Sequence, residues 1–199
     1  MAGKVTVKQN KASTKPYKVS GSTLAEIWTD IKAKGPKDGG KDRAGYTQAP
    51  VTSAKTFNYD GKVKQDKKKN EYNVEVWMKE AAFTCDPEIQ HPSLTSDKDL
   101  SAKAKKEWKR FYGELMSHEN EHVTTTIEAT KKFGAELIAL VGKGTDADKE
   151  KAKEKAQEDW TKQRDKAKLD DAELKKRLKK ANADLDSGGH GPVLDTSIV

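Results

Sequence analysis

Disulfide chemistry is the first thing this sequence does without. Its one cysteine, Cys85, cannot close an intrachain bridge, so the fold must hold through its core, and the thiol reads as a small buried hydrophobe on a strand. Long apolar runs are missing too, since none approaches the roughly 20 residues that a membrane-crossing helix needs. The first ten residues carry no apolar stretch of the kind found in a secretory signal. These absences predict no membrane span, and a cytoplasmic location or export by a route other than the general secretory one. Aromatic residues make up only 7% of the 199, and 33% hydrophobic content stands against 36% charged. That balance implies a modest core under a heavily solvated surface, and the length suffices for one domain, or one domain with an appendage. Histidine is scarce as well, with four in the chain, and where they fall is informative.

Two of them stand in His118-Glu119-Asn120-Glu121-His122, an H-E-x-x-H arrangement. On a helix, positions i and i+4 lie one above the other, so both imidazoles can grip one metal ion. Glu119 then sits beside the metal, where a general base takes a proton from water. The surroundings read as helix: Leu100, Ala104, Trp108, Phe111, Leu115, His118, His122, Ile127, Phe133 and Leu137 recur at steps of mostly three and four. Ser96 or Asp99 would cap its start, and Gly142 with Gly144 would stop it. An unbroken run over 99–141 would measure some 65 Å, which predicts a kink or a split.

Charge is unevenly spread. Residues 1–70 hold 16 Lys/Arg against 6 Asp/Glu, a local +10, while the whole chain carries +7. No nucleic-acid motif accompanies this excess and aromatics are sparse around Lys67-Lys68-Lys69, so solvated loop lysines explain it better than nucleic-acid binding.

Ahead of the long helix the pattern is mixed. Residues 15–20 read as a strand, and Thr23-Leu24-Ala25-Glu26 as a capping box opening a helix with Leu24, Ile27, Trp28 and Ile31 on its buried face, closed by Gly35-Pro36. Strands are expected over 51–59 and 71–84, joined through Asp60-Gly61 and the lysine loop. In the second, Tyr72, Val74, Val76 and Met78 lie on one face and Glu71, Asn73, Glu75 and Trp77 on the other. His91-Pro92 is expected to begin a turn. After Gly144 a thin stripe from Ala147 through Trp160 to Leu185 predicts charged helices divided near residue 170.

A catalytic zinc normally takes three protein ligands. Glu128 lies six residues after His122, but a continuous helix turns it well off the His118/His122 face. His190, in the glycine-rich Ser187-Gly188-Gly189-His190-Gly191, is favoured, ahead of a carboxylate from the later helices and of His91.

Tyr17-x-Val19-x-Gly21-x-Thr23-x-x-Glu26-Ile27, Gly35-Pro36, the Trp108 to His122 stretch and the late His190-Gly191 together resemble a bacterial family of predicted secreted zinc-dependent proteases, long catalogued as a domain of unknown function. The resemblance covers about residues 15–192. It implies His118, His122 and His190 as zinc ligands, Glu119 as catalytic base, and a secreted or periplasmic setting. Two features depart from the family pattern: no signal segment is visible, and Asp-Ser-Gly-Gly precedes His190 where a threonine-containing motif is expected.

The reading is therefore an α+β protein: a flexible segment 1–14, then a single zincin-like metallopeptidase domain over 15–192, then a tail 193–199. Within the domain, an α/β part (15–95) packs on an active-site helix (96–142), followed by a charged helical region (145–186) and a ligand-bearing tail (187–192). The function expected is a one-zinc peptidase acting on peptide or protein substrates. An edge strand from 51–59 or 71–84 would hold extended substrate, and Tyr112 is a candidate oxyanion donor. The competing readings are a non-catalytic, metal-containing module docking a partner through its charged helices, and a basic surface-binding protein.

Overall fold

The computed structural model of the chain describes residues 3–53, 58–187 and 191–199. The elements run β1 (Lys4–Gln9), β2 (Ser13–Val19), α1 (Leu24–Lys34), β3 (Lys37–Asp38), β4 (Lys41–Asp42), β5 (Tyr46–Gln48), β6 (Val51–Ser53), β7 (Asn58–Asp66), β8 (Glu71–Cys85), β9 (Glu88–Leu94), α2 (Ala102–Ala139), β10 (Val141–Asp146), α3 (Lys149–Lys166) and α4 (Asp171–Ser187). This is the α+β order the sequence predicts. The chain divides into two compact units, one built from Met1–Gln9, Val51–Cys85 and Ile127–Ala181, the other from Asn10–Pro50, Asp86–Thr126 and Asn182–Val199. Among the described residues no helix is long and apolar enough to cross a membrane.

In the first unit, β8 is the central strand of a five-stranded sheet. β1 runs parallel along Glu80–Cys85 and β10 antiparallel along Tyr72–Trp77. On its other edge β7 and β6 pair antiparallel. The alternation read from the sequence is real: Val74, Val76 and Met78 are buried. A bulge opposite Asn58/Tyr59 adds one residue on β8, so beyond it the buried positions shift to Ala81, Phe83 and Cys85. Several expectations are corrected here. Residues 4–9 form a paired strand because Val5 and Val7 pack against the core, so the segment 1–14 is not simply flexible. Of the strand expected over 51–59, residues 51–53 form β6 and 58–59 begin β7, the positions between lying outside the described residues, and Asp60-Gly61 lies inside β7. The hairpin turn is the lysine loop, where the Asp66 carboxylate accepts from the backbone N–H groups of Lys68 and Lys69 and Asn70 takes φ 52°.

Gly142 and Gly144 do not stop the long helix; they lie in β10. A Cβ on either would run into the backbone of α3, at the carbonyls of Ala156 and Ala152. The glycines thus let α3 lie directly on the strand, with Ala152, Ala156 and Trp160 buried at four-residue steps. The Trp160 ring meets Tyr59 edge-on at 5.2 Å.

The second unit holds a three-stranded sheet in the order β2-β9-β5, with β2 parallel and β5 antiparallel to β9. His91-Pro92 lies within β9 rather than opening a turn. β5 reaches only Glu88–Gln90, so the missing proline N–H falls past the end of that partner. Thr23 caps α1, its hydroxyl accepting from the Glu26 N–H at 3.2 Å, while the Glu26 carboxylate reaches back to the Ser22 N–H at 2.7 Å. Leu24, Ile27 and Ile31 pack with Phe111, Leu115 and Leu194. The β3–β4 hairpin turns through Gly39 and Gly40, both at positive φ. α2 is a single helix of 38 residues, about 57 Å at 1.5 Å per residue, so the split expected is not found. Its cap is Ser101, whose hydroxyl accepts from the Ala104 N–H, not Ser96 or Asp99. Its residues up to Thr126 belong to the second unit and those from Ile127 to the first.

Candidate metal centre

His118 and His122 lie one turn apart on α2, and the last turn of α4 brings Asp186 to them. The two Nε2 atoms are 3.2 Å apart, and Asp186 Oδ1 is 3.4 Å from His118 Nε2 and 3.2 Å from His122 Nε2. These three residues form a group whose ligand atoms could hold a metal ion. A tetrahedral ion with bonds near 2.0–2.1 Å sets its ligands about 3.3–3.4 Å apart, so the observed triangle fits one face of such a site.

The hydrogen bonding around His122 points the same way. Its Nδ1 lies 2.8 Å from Asn182 Oδ1, an acceptor, so Nδ1 carries the proton. The Asn182 amide is itself oriented, its Nδ2 donating to Thr126 Oγ1 at 3.1 Å. In the neutral ring the Nε2 lone pair then faces another ring nitrogen and a carboxylate oxygen, and a cation between them converts that repulsion into coordination. Asp186 divides its oxygens: Oδ1 faces the imidazoles, and Oδ2 meets Arg43 Nη2 at 3.3 Å.

Glu119 is buried beside this group, with 3% of its surface exposed. The segment around β5 shapes its surroundings. Thr47 Oγ1 donates to Glu119 Oε2 at 2.7 Å and lies 3.1 Å from the Glu119 carbonyl. A Cβ on Gly45 would overlap Oε1, so a side chain there would displace the Glu119 carboxylate. The Tyr17 hydroxyl donates to the Ala44 carbonyl at 2.6 Å and anchors that segment. Burial pushes the Glu119 carboxyl above its usual range; the Thr47 hydrogen bond and the two imidazoles oppose the rise, and Asp186 adds to it. Burial, and then the charge of Glu119, likewise pushes the Tyr17 phenol up.

Residues 14–186 match the family described as "Bacterial protein of unknown function (DUF922)". The chain belongs to that family. No curated protein and no solved structure matches it. The matched stretch includes His118, Glu119, His122, Asn182 and Asp186 and ends before His190.

Of the residues singled out from sequence, His118, Glu119 and His122 come together as expected. His190 lies outside the described residues. Its neighbour Gly191 is described, and a Cβ built there would stand 3.4 Å from His118 Cδ2, so the tail backbone comes to the edge of that ring. His91 is not part of the His118–His122–Asp186 group; it is buried with its Nδ1 3.2 Å from the hydroxyl of Tyr112, the candidate oxyanion donor. The strand beside Glu119 is β5, whereas β8 has partners on both edges. Sequence reasoning missed Arg43, Gly45, Thr47 and Asn182. Asp186 entered only as an unspecified late carboxylate. The one available signal was its place at the end of a capped, periodic helix just before a glycine run.

Proposed function

We propose that this protein is a zinc-dependent peptidase with Glu119 as general base and His118, His122 and Asp186 as metal-holding residues. The observation that carries the reading is the triangle of His118, His122 and Asp186 ligand atoms with a buried glutamate one residue from its first histidine. Zinc bound there supplies a Lewis acid that polarises a carbonyl and acidifies water. Glu119 takes the proton of the attacking water and hands it to the leaving amine. Thr47, bound to Oε2, holds the carboxylate in one orientation and leaves Oε1 as the receiving atom. Asn182 keeps the His122 proton on Nδ1, so that Nε2 remains a ligand. Peptide as the substrate class follows from the resemblance to zinc-dependent proteases. It is also supported by β5, an edge strand whose backbone can pair with an extended chain beside Glu119.

Glu119→Gln is isosteric and keeps the Thr47 contact while removing the base. Digestion of a broad peptide library is expected to fall by roughly 10²–10⁴-fold, with one equivalent of zinc retained by elemental analysis. Full activity in this variant would remove the proposal.

A further inference from the structure

One requirement of such a site is met by no residue of the H-E-x-x-H motif. When the water oxygen adds to the scissile carbonyl carbon, the C=O π pair moves onto the carbonyl oxygen. That negative charge needs a donor in place before it forms. Arg43 is positioned for this. Its Nη2 lies 3.3 Å from Asp186 Oδ2, one carboxylate away from the atoms that face the imidazoles. Its other ion pair, to Asp38 Oδ2 at 3.5 Å, uses the same Nη2. Among the described residues, Nε and Nη1 therefore remain available, as three N–H donors of a planar guanidinium.

The backbone that delivers the guanidinium is fixed. The Arg43 N–H donates to the Pro36 carbonyl at 2.9 Å, and Gly35 packs so closely on the Arg43 carbonyl that a Cβ there would overlap it. From Arg43 the chain passes through Ala44, held by Tyr17, and Gly45, against Glu119 Oε1, to Thr47 on Oε2. A single five-residue stretch thus spans from the metal-facing carboxylate to the general base. Its two ends carry the positive charge and the hydroxyl that orients the base.

We propose that Arg43 is the anion-receiving group of this centre, holding through Nε and Nη1 the oxygen of a tetrahedral oxyanion seated at the metal site. As the second electrophile of hydrolysis it rests on the peptidase reading. There, the water proton goes to Glu119, the carbonyl π pair to the oxygen facing Arg43, and collapse of that oxyanion breaks the C–N bond. The nitrogen leaves with the proton from Glu119, giving one carboxylic acid and one amine.

Inorganic phosphate, itself a tetrahedral oxyanion, tests the assignment without turnover. Calorimetric titration of phosphate into the zinc-loaded protein is expected to show binding that weakens at least about tenfold in Arg43→Ala, the loss of one charge-assisted contact. Arg43→Lys is expected to recover part of it, and zinc affinity, read by chelator competition, is expected to stay within a few-fold of wild type. Three results would overturn the proposal: wild type binding no phosphate in a zinc-dependent way, Arg43→Ala binding it as wild type does, or Arg43→Ala losing zinc as completely as Asp186→Ala. Full hydrolysis by Glu119→Gln would sink the peptidase reading alone, because the phosphate result does not depend on turnover.

Discussion

Asp186 shares its carboxylate between two imidazoles on one side and a guanidinium on the other. That division keeps one oxygen for a metal, and among the described residues the group that could hold one has three members, His118, His122 and Asp186. Two residues compete for the third-ligand role, and variants separate them. Asp186→Ala is expected to lose zinc by orders of magnitude in a competition assay, whereas His190→Ala is expected to hold it within a few-fold. The reverse order would return the third ligand to the tail. A different residue governs how that tail is tied down. Glu107, 7% exposed, accepts from Arg110 at 2.6 and 2.8 Å and from the Asp195 N–H at 2.9 Å. The hydrogen bonds from Arg110, chiefly, hold its carboxyl below the usual range. A carboxyl lowered in the folded state contributes stability that is complete above its unfolded value of about 4.3 and is lost as pH falls through the folded one. Melting curves from pH 6 down to about pH 3 are expected to drop less steeply for Glu107→Gln than for wild type. Equal slopes would show that the clamp contributes nothing.

At the scale of elements, the legible parts were those whose signal is local. The capping sequence of α1 and the alternation along β8 each sit within a few residues, and both are found as read. β10 was misread because a glycine pair after a long helix looks like a stop signal. Its function is contact, since the two glycines clear a path for α3, and no local pattern states what will pack on a strand. Adding a methyl at Gly144 drives it into the Ala152 carbonyl. Overpacking of this kind costs about 1–3 kcal/mol, so Gly144→Ala is expected to shift the urea midpoint downward accordingly. An unchanged midpoint would mean that α3 can lift off the strand freely. β9 was missed for a related reason: Pro92 argues against a strand unless its neighbour ends early, and the extent of β5 is a tertiary fact.

For the molecule as a whole, the residues proposed to hold a metal come from α2 and from the end of α4, 64 positions apart between His122 and Asp186. A ligand that binds only the assembled trio stabilises the folded chain by mass action, by about 2.7 kcal/mol at a hundred times its dissociation constant. Zinc is therefore expected to raise the melting temperature, a chelator to reverse the rise, and Asp186→Ala to abolish it. A melting temperature indifferent to zinc in wild type would count against the centre. By itself the sequence determined the helix face, because a 3.6-residue period places His118, Glu119 and His122 together without help from the rest of the chain. It also determined the α+β order, since periodicity and capping act over neighbouring residues. Only the tertiary structure decided that Asp186, Asn182, Thr47 and Arg43 gather around that face. Their residue types are common and their spacing along the chain carries no period, so their roles exist only once packing has brought the distant segments together.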